Sequence, residues 1–103
     1  MERSILVNIG FGNAVKVNRI LAVVNPGSSP VRKLKDEARI EKKLIDVTEG
    51  RRTRAIIILD TGHLVLSSVQ PDTINQRLAA LDQERDNPQA VLRRYQKKGK
   101  QDE

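Results

Sequence analysis

The chain has 103 residues, a formal net charge of +6 and a sequence pI near 10.1. It contains no cysteine, which excludes disulfides, thiolate metal sites and cysteine nucleophiles, and no apolar run approaches the roughly 20 residues of a membrane span. The length favours a single small domain, and the basic surface favours a polyanionic partner. We expect a cytoplasmic protein that does not enter the membrane.

The first half of the chain is predicted to be rich in β-structure. Residues 5–9 and 14–17 read as strands on either side of a turn at 10–13, and Ile20–Val24 forms a third apolar run. Ser29 is predicted to cap a helix that begins at Pro30 and continues to about residue 43. Acidic residues interrupt the basic residues of this helix, as is typical of a solvated face.

The second half is predicted to hold three more strands and a second helix. The strands cover residues 44–48, 55–59 and 64–69; the middle one is apolar enough to be buried on both faces, and a turn at Gly62 makes the last two antiparallel neighbours. The helix begins near residues 70–72 and places Ile74, Leu78 and Leu81 on one face. We therefore expect an α+β fold, with a small antiparallel β-sheet and two main helices, in a single domain of residues 1–82. Residues 83–103 are a polar and basic extension with a helix expected over about 88–98; its charge is enough for nonspecific phosphate contact, and a frayed solubilising terminus is the equal alternative.

The strongest functional signal is an arginine cluster directly before the buried strand. Arg51, Arg52 and Arg54 lie within the turn at 49–54. Guanidinium groups carry a permanent charge and a forked set of donors that matches phosphate oxygens. For any single arginine, a charge that only marks the end of a strand is the ordinary alternative. The chain has only two aromatic residues, Phe11 and Tyr95, which disfavours binding of single strands by base stacking and favours a duplex.

The chain offers little that would support catalysis. Gly10 and Gly12 suggest the start of a dinucleotide-binding motif, but the third small residue is missing and the next segment is a strand. Asp60, His63 and Ser67 follow a strand–turn–strand spacing that does not bring a base and a nucleophile together. We therefore predict a protein that is not an enzyme and that has no cofactor, no metal site and no small-molecule substrate.

Five segments carry a family resemblance. They are NIGFGN at 8–13, NRI at 18–20, LID at 44–46, GRRTRA at 50–55 and SVQPDT at 68–73. Together, and in this order, they resemble the RemA family of bacterial extracellular-matrix regulatory proteins over roughly residues 4–80. The resemblance implies a LytTR-like α+β subunit that assembles into a homo-oligomeric ring and activates transcription as a double-stranded DNA-binding protein.

The same resemblance assigns the site. It maps DNA contacts onto Arg19, Arg51 and Arg52; Arg54 also matches the motif, and a position facing a neighbouring subunit is the alternative for this residue. Two other functions stay open at this point: an oligomeric scaffold or adaptor that binds an acidic protein partner, and a nonspecific RNA-binding module. The scarcity of aromatic residues disfavours the RNA-binding function.

Overall fold

The computed structural model describes the backbone of residues 5–86 and the side chains of residues 5–81. In chain order the elements are β1 (Leu6–Gly10), β2 (Asn13–Lys16), β3 (Ile20–Val24), α1 (Ser29–Ile40), β4 (Leu44–Asp46), β5 (Ala55–Leu59), β6 (Leu64–Ser67) and α2 (Pro71–Asp86). A turn of 3-10 helix at Val17–Arg19 leads into β3. The helix or frayed tail expected over residues 88–98 lies outside the described residues.

The described strands form two sheets. β1 and β2 make an antiparallel hairpin, and the other four strands form a sheet in the order β3-β5-β6-β4. The predicted antiparallel pairing of β5 with β6 is confirmed, but β4 runs parallel to β6, with Ile45 opposite Val65. The prediction of one small antiparallel sheet is therefore wrong. Residues 47–54 carry the chain across the end of the sheet, where they bond to β6 backbone carbonyls, and β6 then inserts between β4 and β5.

The four-stranded sheet is buried on both faces at its centre. Ala55, Ile56 and Ile57 of β5 are fully buried, and their side chains alternate between two cores. One core joins the hairpin and α2 to the sheet and consists of Val7, Ile9, Ala55, Ile57, Val65 and Ile74. The other joins α1 to the sheet and consists of Ala38, Ile56, Leu64 and Leu66. The prediction that β5 is buried on both faces is confirmed.

The two helices were predicted in the right places, with small errors at the ends of α1. Ser28, rather than Ser29, is the N-cap, and its Oγ accepts a hydrogen bond from the amide of Val31 at 3.4 Å. α1 ends at Ile40, short of the predicted end near residue 43, because Lys42 adopts a left-handed conformation with φ of 61°. In α2 the predicted apolar face is confirmed, since its three members are buried or half-buried against the first core.

A buried hydroxyl fixes the hairpin to the sheet. The Oγ of Ser67, which is fully buried, donates to the carbonyl of Ile9 at 2.8 Å and accepts from the amide of Val69 at 3.0 Å. Arg77 of α2 adds a second tie by donating to the carbonyl of Asn8 at 2.8 Å. The tip of the hairpin is therefore held at the end of β6 where α2 begins.

Replacing Ser67 by alanine should lower the free energy of unfolding by about 1–3 kcal/mol, because the buried carbonyl of Ile9 loses its donor. Urea unfolding followed by circular dichroism measures this. Ser68→Ala is the matched control, since no hydrogen bond of the Ser68 hydroxyl is present within the described residues. Equal costs for the two substitutions would contradict the role assigned to the Ser67 hydroxyl.

Candidate nucleic-acid interface

The arginine turn, residues 49–54, is built on a tight reverse turn. The amide of Arg51 donates to the carbonyl of Thr48 at 3.0 Å, and the two central residues, Glu49 and Gly50, have φ of 55° and 77°. Two successive positive φ angles are the signature of a type I′ turn. Glycine adopts this conformation freely, whereas for Glu49 it costs roughly 1–2 kcal/mol. The backbone of the turn is therefore closely defined before any ligand binds.

Asp46 and Thr48 brace the entrance to this turn. Thr48 is buried, and both its hydroxyl and its amide donate to Oδ1 of Asp46, at 2.7 and 2.9 Å. These two hydrogen bonds stabilise the carboxylate and lower the pKa of Asp46 below its ordinary value of 3.8, against a smaller opposing effect of burial. The positive charge of Lys35 lowers the pKa further.

The exit of the turn is anchored to the sheet, and its arginine side chains are exposed. The amide of Arg54 donates to the carbonyl of Ser67 at 2.8 Å, and the next residue, Ala55, is fully buried. Among the side chains of residues 5–81, the ion pairs are Arg19–Asp60 and Arg39–Asp36. In that part of the chain, no acid neutralises the three arginines of the turn.

The tip of the β1–β2 hairpin lies beside the arginine turn. The Cζ of Arg51 is 5.9 Å from the centroid of the Phe11 ring, at the outer limit of a cation–π contact. Phe11 remains 52% exposed. Sequence reasoning missed this residue, because nothing in the chain shows that positions 11 and 51 are neighbours. The available signal was an aromatic residue placed between two glycines in a predicted turn.

A shallow cleft of about 440 Å³ opens next to the turn. Three segments line it: residues 25–27 between β3 and α1, residues 52–54 of the turn, and residues 70–72 at the start of α2. Both helices thus begin at this end of the sheet, and the N-terminal end of a helix carries a partial positive charge. Arg32 adds a further cation here by donating to the carbonyl of Gly27 at 3.0 Å, while Asp72 in the wall partly offsets the charge.

Arg19 lies at the opposite end of β5. Its guanidinium is 3.1 Å from Oδ2 of Asp60, and its carbonyl accepts from the amide of Asp60 at 2.8 Å. Arg54 and Asp60 flank β5, six residues apart, which corresponds to about 20 Å of extended chain. The structure therefore brings Arg51, Arg52 and Arg54 together but places Arg19 at the far end of the strand.

The residues weighed for catalysis do not form a triad. The hydroxyl of Ser67 is buried and engaged by Ile9, whereas the ring of His63 contacts the hydroxyl of Thr61 at 2.7 Å. Ser67 and His63 lie at opposite ends of β6, about 13 Å apart along the strand.

Within the described residues, no three or more His, Asp or Glu side chains are grouped so as to hold a metal ion, and no helix has the length and apolar character needed to cross a membrane.

Comparison with known proteins establishes the family. A sequence profile described as "RemA-like: Extracellular matrix regulatory protein A-like" matches residues 6–78, which include the hairpin and the arginine turn. The chain belongs to the RemA-like family. The resemblance inferred from five short segments is thus confirmed, and the family is described as one of regulatory proteins.

Relatives of this RemA-like protein come from several bacteria. A protein of Thermodesulfovibrio yellowstonii is 59% identical over 81 residues, covering 79% of this chain and 95% of its own length. A protein of Desulfotalea psychrophila is 62% identical over 76 residues, covering 74% and 68%, and one of Brevibacillus brevis is 53% identical over 81 residues, covering 79% and 94%. Each is named "Putative regulatory protein".

The bracing of the arginine turn by Asp46 predicts a pH dependence of stability for this RemA-like protein. Because the pKa of Asp46 is lowered on folding, its carboxylate stabilises the folded state above about pH 4, and this contribution is lost as the pH falls through the lower, folded-state pKa. Asp46→Asn should therefore reduce the free energy of unfolding more at pH 6 than at pH 3. Urea unfolding at the two pH values measures the difference.

Thr48→Val provides the matched variant, since it leaves the carboxylate of Asp46 in place but removes the Thr48 hydroxyl that donates to it. The pKa of Asp46, followed by NMR titration of its carboxyl carbon, should then rise toward the ordinary value. A titration that is unchanged in Thr48→Val would show that this hydrogen bond does not hold the carboxylate.

Proposed function

We propose that this protein is a double-stranded DNA-binding transcriptional regulator, an activator of matrix or biofilm-type genes, that works as a ring-shaped homo-oligomer of LytTR-like subunits. The observation that carries the proposal is the arginine turn, which holds three exposed guanidinium groups that no described acid neutralises. Guanidinium forks match pairs of phosphate oxygens. Because the turn is held by backbone hydrogen bonds on both sides, little backbone conformational entropy is lost when it binds.

Duplex DNA fits this surface better than single strands or RNA. Binding of unpaired bases depends on stacking platforms, and the described part of the chain contains a single aromatic side chain, Phe11. Phosphate contact, in contrast, needs only cations at defined positions. The start of two helices at the same end of the sheet adds positive potential without further side chains.

The distance between Arg19 and the arginine turn is compatible with one duplex. The 20 Å between the ends of β5 corresponds to about six base-pair steps of B-DNA at 3.4 Å each. Arg19 is paired with a single, partly exposed carboxylate, and such pairs contribute only about 0–1 kcal/mol. A DNA phosphate can therefore compete with Asp60 for this guanidinium.

The sheet edges support assembly of copies of the chain. In the described part of the chain, β3 pairs only with β5 and β4 pairs only with β6, so each leaves an open edge. Exposed apolar side chains lie on both edge strands, with Leu21 on β3 (70% exposed) and Ile45 on β4, and Ile40 is exposed at the end of α1, the helix that precedes β4. Contact between two different surfaces of the same subunit generates a ring if the rotation closes. Each added copy then repeats the arginine turn along the DNA.

Replacing Arg51 and Arg52 together by alanine should sharply weaken binding of duplex DNA while leaving folding intact. Each lost phosphate contact should also reduce the slope of log K against log salt by about 0.9. Fluorescence anisotropy of a labelled duplex across a salt titration measures both effects. Normal binding by the double variant would remove the basis of the proposed function.

Arg39→Ala is the matched control, because Arg39 is an exposed arginine at the C-terminal end of α1, where it is paired with Asp36. It should change binding only slightly despite the same loss of charge per site.

Light scattering should give a mass several times that of the 11.6-kDa chain for the wild type and for all of these variants. A monomeric wild type would contradict the ring.

Substitutions of the two partners in the Arg19–Asp60 pair should change the affinity for DNA in opposite directions. Arg19→Ala should weaken DNA binding and reduce its salt slope by about 0.9, whereas Asp60→Asn should strengthen binding because it frees the guanidinium. The same salt titrations measure both variants, with circular dichroism as the folding control. If Asp60→Asn binds no better and Arg19→Ala keeps the wild-type slope, the pair is structural and Arg19 does not touch DNA.

A further inference from the structure

The loop of the β1–β2 hairpin contains an unexpected residue. Gly10 pairs with Asn13, so the loop consists of Phe11 and Gly12. Three successive residues have positive φ: 107° at Gly10, 53° at Phe11 and 77° at Gly12. A two-residue loop of this type favours asparagine, aspartate or glycine at its first position, because they tolerate a left-handed backbone. A bulky aromatic side chain there is an outlier.

Packing within the subunit does not account for this phenylalanine. Phe11 belongs to neither core, and half of its side chain is exposed. Its observed ring contact is the one with Arg51 at 5.9 Å, which is too long to contribute much. The chain therefore places its only phenylalanine where the backbone conformation is unfavourable and the residue is half exposed to solvent. Strained positions of this kind cluster at binding sites.

The hairpin tip is also rigid. Side-chain hydrogen bonds hold both backbone groups of Gly10. Its amide donates to Oδ1 of Asn8 at 2.9 Å, and its carbonyl accepts from Nδ2 of Asn13 at 3.0 Å. A Cβ on Gly10 would lie 3.1 Å from Cγ2 of Val69, so the tip is in close contact with the segment that follows β6. Beside the ring, Gly12 leaves open space. Phe11 is thus presented on a fixed support with a clear approach.

We propose that Phe11 is an apolar wedge that enters the minor groove of bound DNA and kinks the duplex at a flexible base step. This inference rests on the proposed DNA-binding function. Phenylalanine is one of the side chains that proteins insert between base steps, and the neighbouring Arg51 is placed to hold a flanking phosphate while the step opens. Pyrimidine–purine steps open most easily, so the wedge favours DNA that contains such steps at the point of contact.

The turn geometry supplies a sharp test, because asparagine suits the backbone at position 11 but cannot act as a wedge. Phe11→Asn should keep or raise the thermal midpoint and leave the assembly mass unchanged. It should lower the affinity for duplex DNA about tenfold without changing the salt slope, since an apolar contact is lost and no phosphate contact is. Phe11→Leu, which keeps an apolar side chain, should retain most of the wild-type behaviour.

Bending is the direct readout. A duplex of about 30 base pairs carrying a donor and an acceptor dye at its ends should show higher energy transfer when saturated with wild-type protein than when saturated with Phe11→Asn. Arg51→Ala combined with Phe11→Asn should lose more affinity than Arg51→Ala alone. If the combined variant loses no more, Phe11 acts only by supporting Arg51 and the wedge is wrong.

Other outcomes would also overturn the inference. Unchanged energy transfer with Phe11→Asn would show that the residue does not bend DNA. A lower thermal midpoint or a smaller assembly mass for that variant would show that Phe11 serves the fold or a subunit interface. If Arg51→Ala/Arg52→Ala abolishes binding while Phe11→Asn binds and bends normally, the DNA-binding function stands and only the wedge fails; if the wild type does not bind duplex DNA, both fail.

Discussion

The candidate interface depends on one residue at the end of β6. Through its buried hydroxyl, Ser67 holds the carbonyl of Ile9 at 2.8 Å, and through its own carbonyl it holds the amide of Arg54 at the same distance. The first bond positions the hairpin and the second positions the arginine turn. Since both groups are bonded to a single residue in a buried strand of the sheet, the sheet defines their relative placement. Phe11 and Arg51, 40 residues apart in the chain, become neighbours through this residue.

Two tight turns with the same conformation form the surface. Phe11-Gly12 and Glu49-Gly50 each have two successive positive φ angles, and in each the first residue is one that does not favour them. The second turn is compensated locally, by the bonds of Thr48 to Asp46 and to Arg51. The first is held by the side chains of Asn8 and Asn13. Stability given up at these two positions is recovered in the surrounding hydrogen bonds, which is how strained backbone persists at a binding surface.

The sequence predicted elements whose signal is local. The continuous apolar run of β5, the turn at Gly62 and the apolar face of α2 each follow from residues close together in the chain, and the structure contains all three. The parallel pairing of β4 with β6 was not predictable in this way, because β6 comes later in the chain and lies between the two strands that precede it, β4 and β5. The separation of Arg19 from the arginine turn and the contact of Phe11 with Arg51 were not predictable either. The first is set by the antiparallel pairing of β3 with β5 and the second by the hydrogen bond that fixes the hairpin to β6, and neither is encoded by a local pattern.

The arrangement divides the subunit into two ends with different electrostatics. At one end of β5 the cations of the arginine turn are exposed beside the starts of two helices, while at the other Arg19 is held by Asp60. In the proposed ring, contact between the β3 edge of one copy and the β4 edge of the next relates subunits by rotation, so the arginine turn and Arg19 of every copy recur at a fixed spacing around the rim of the ring. A single turn offers only a few screened phosphate contacts. Repeated at fixed spacing along one duplex, the same contacts add within one binding event, and the affinity then depends on whether the DNA can follow the curvature of the rim.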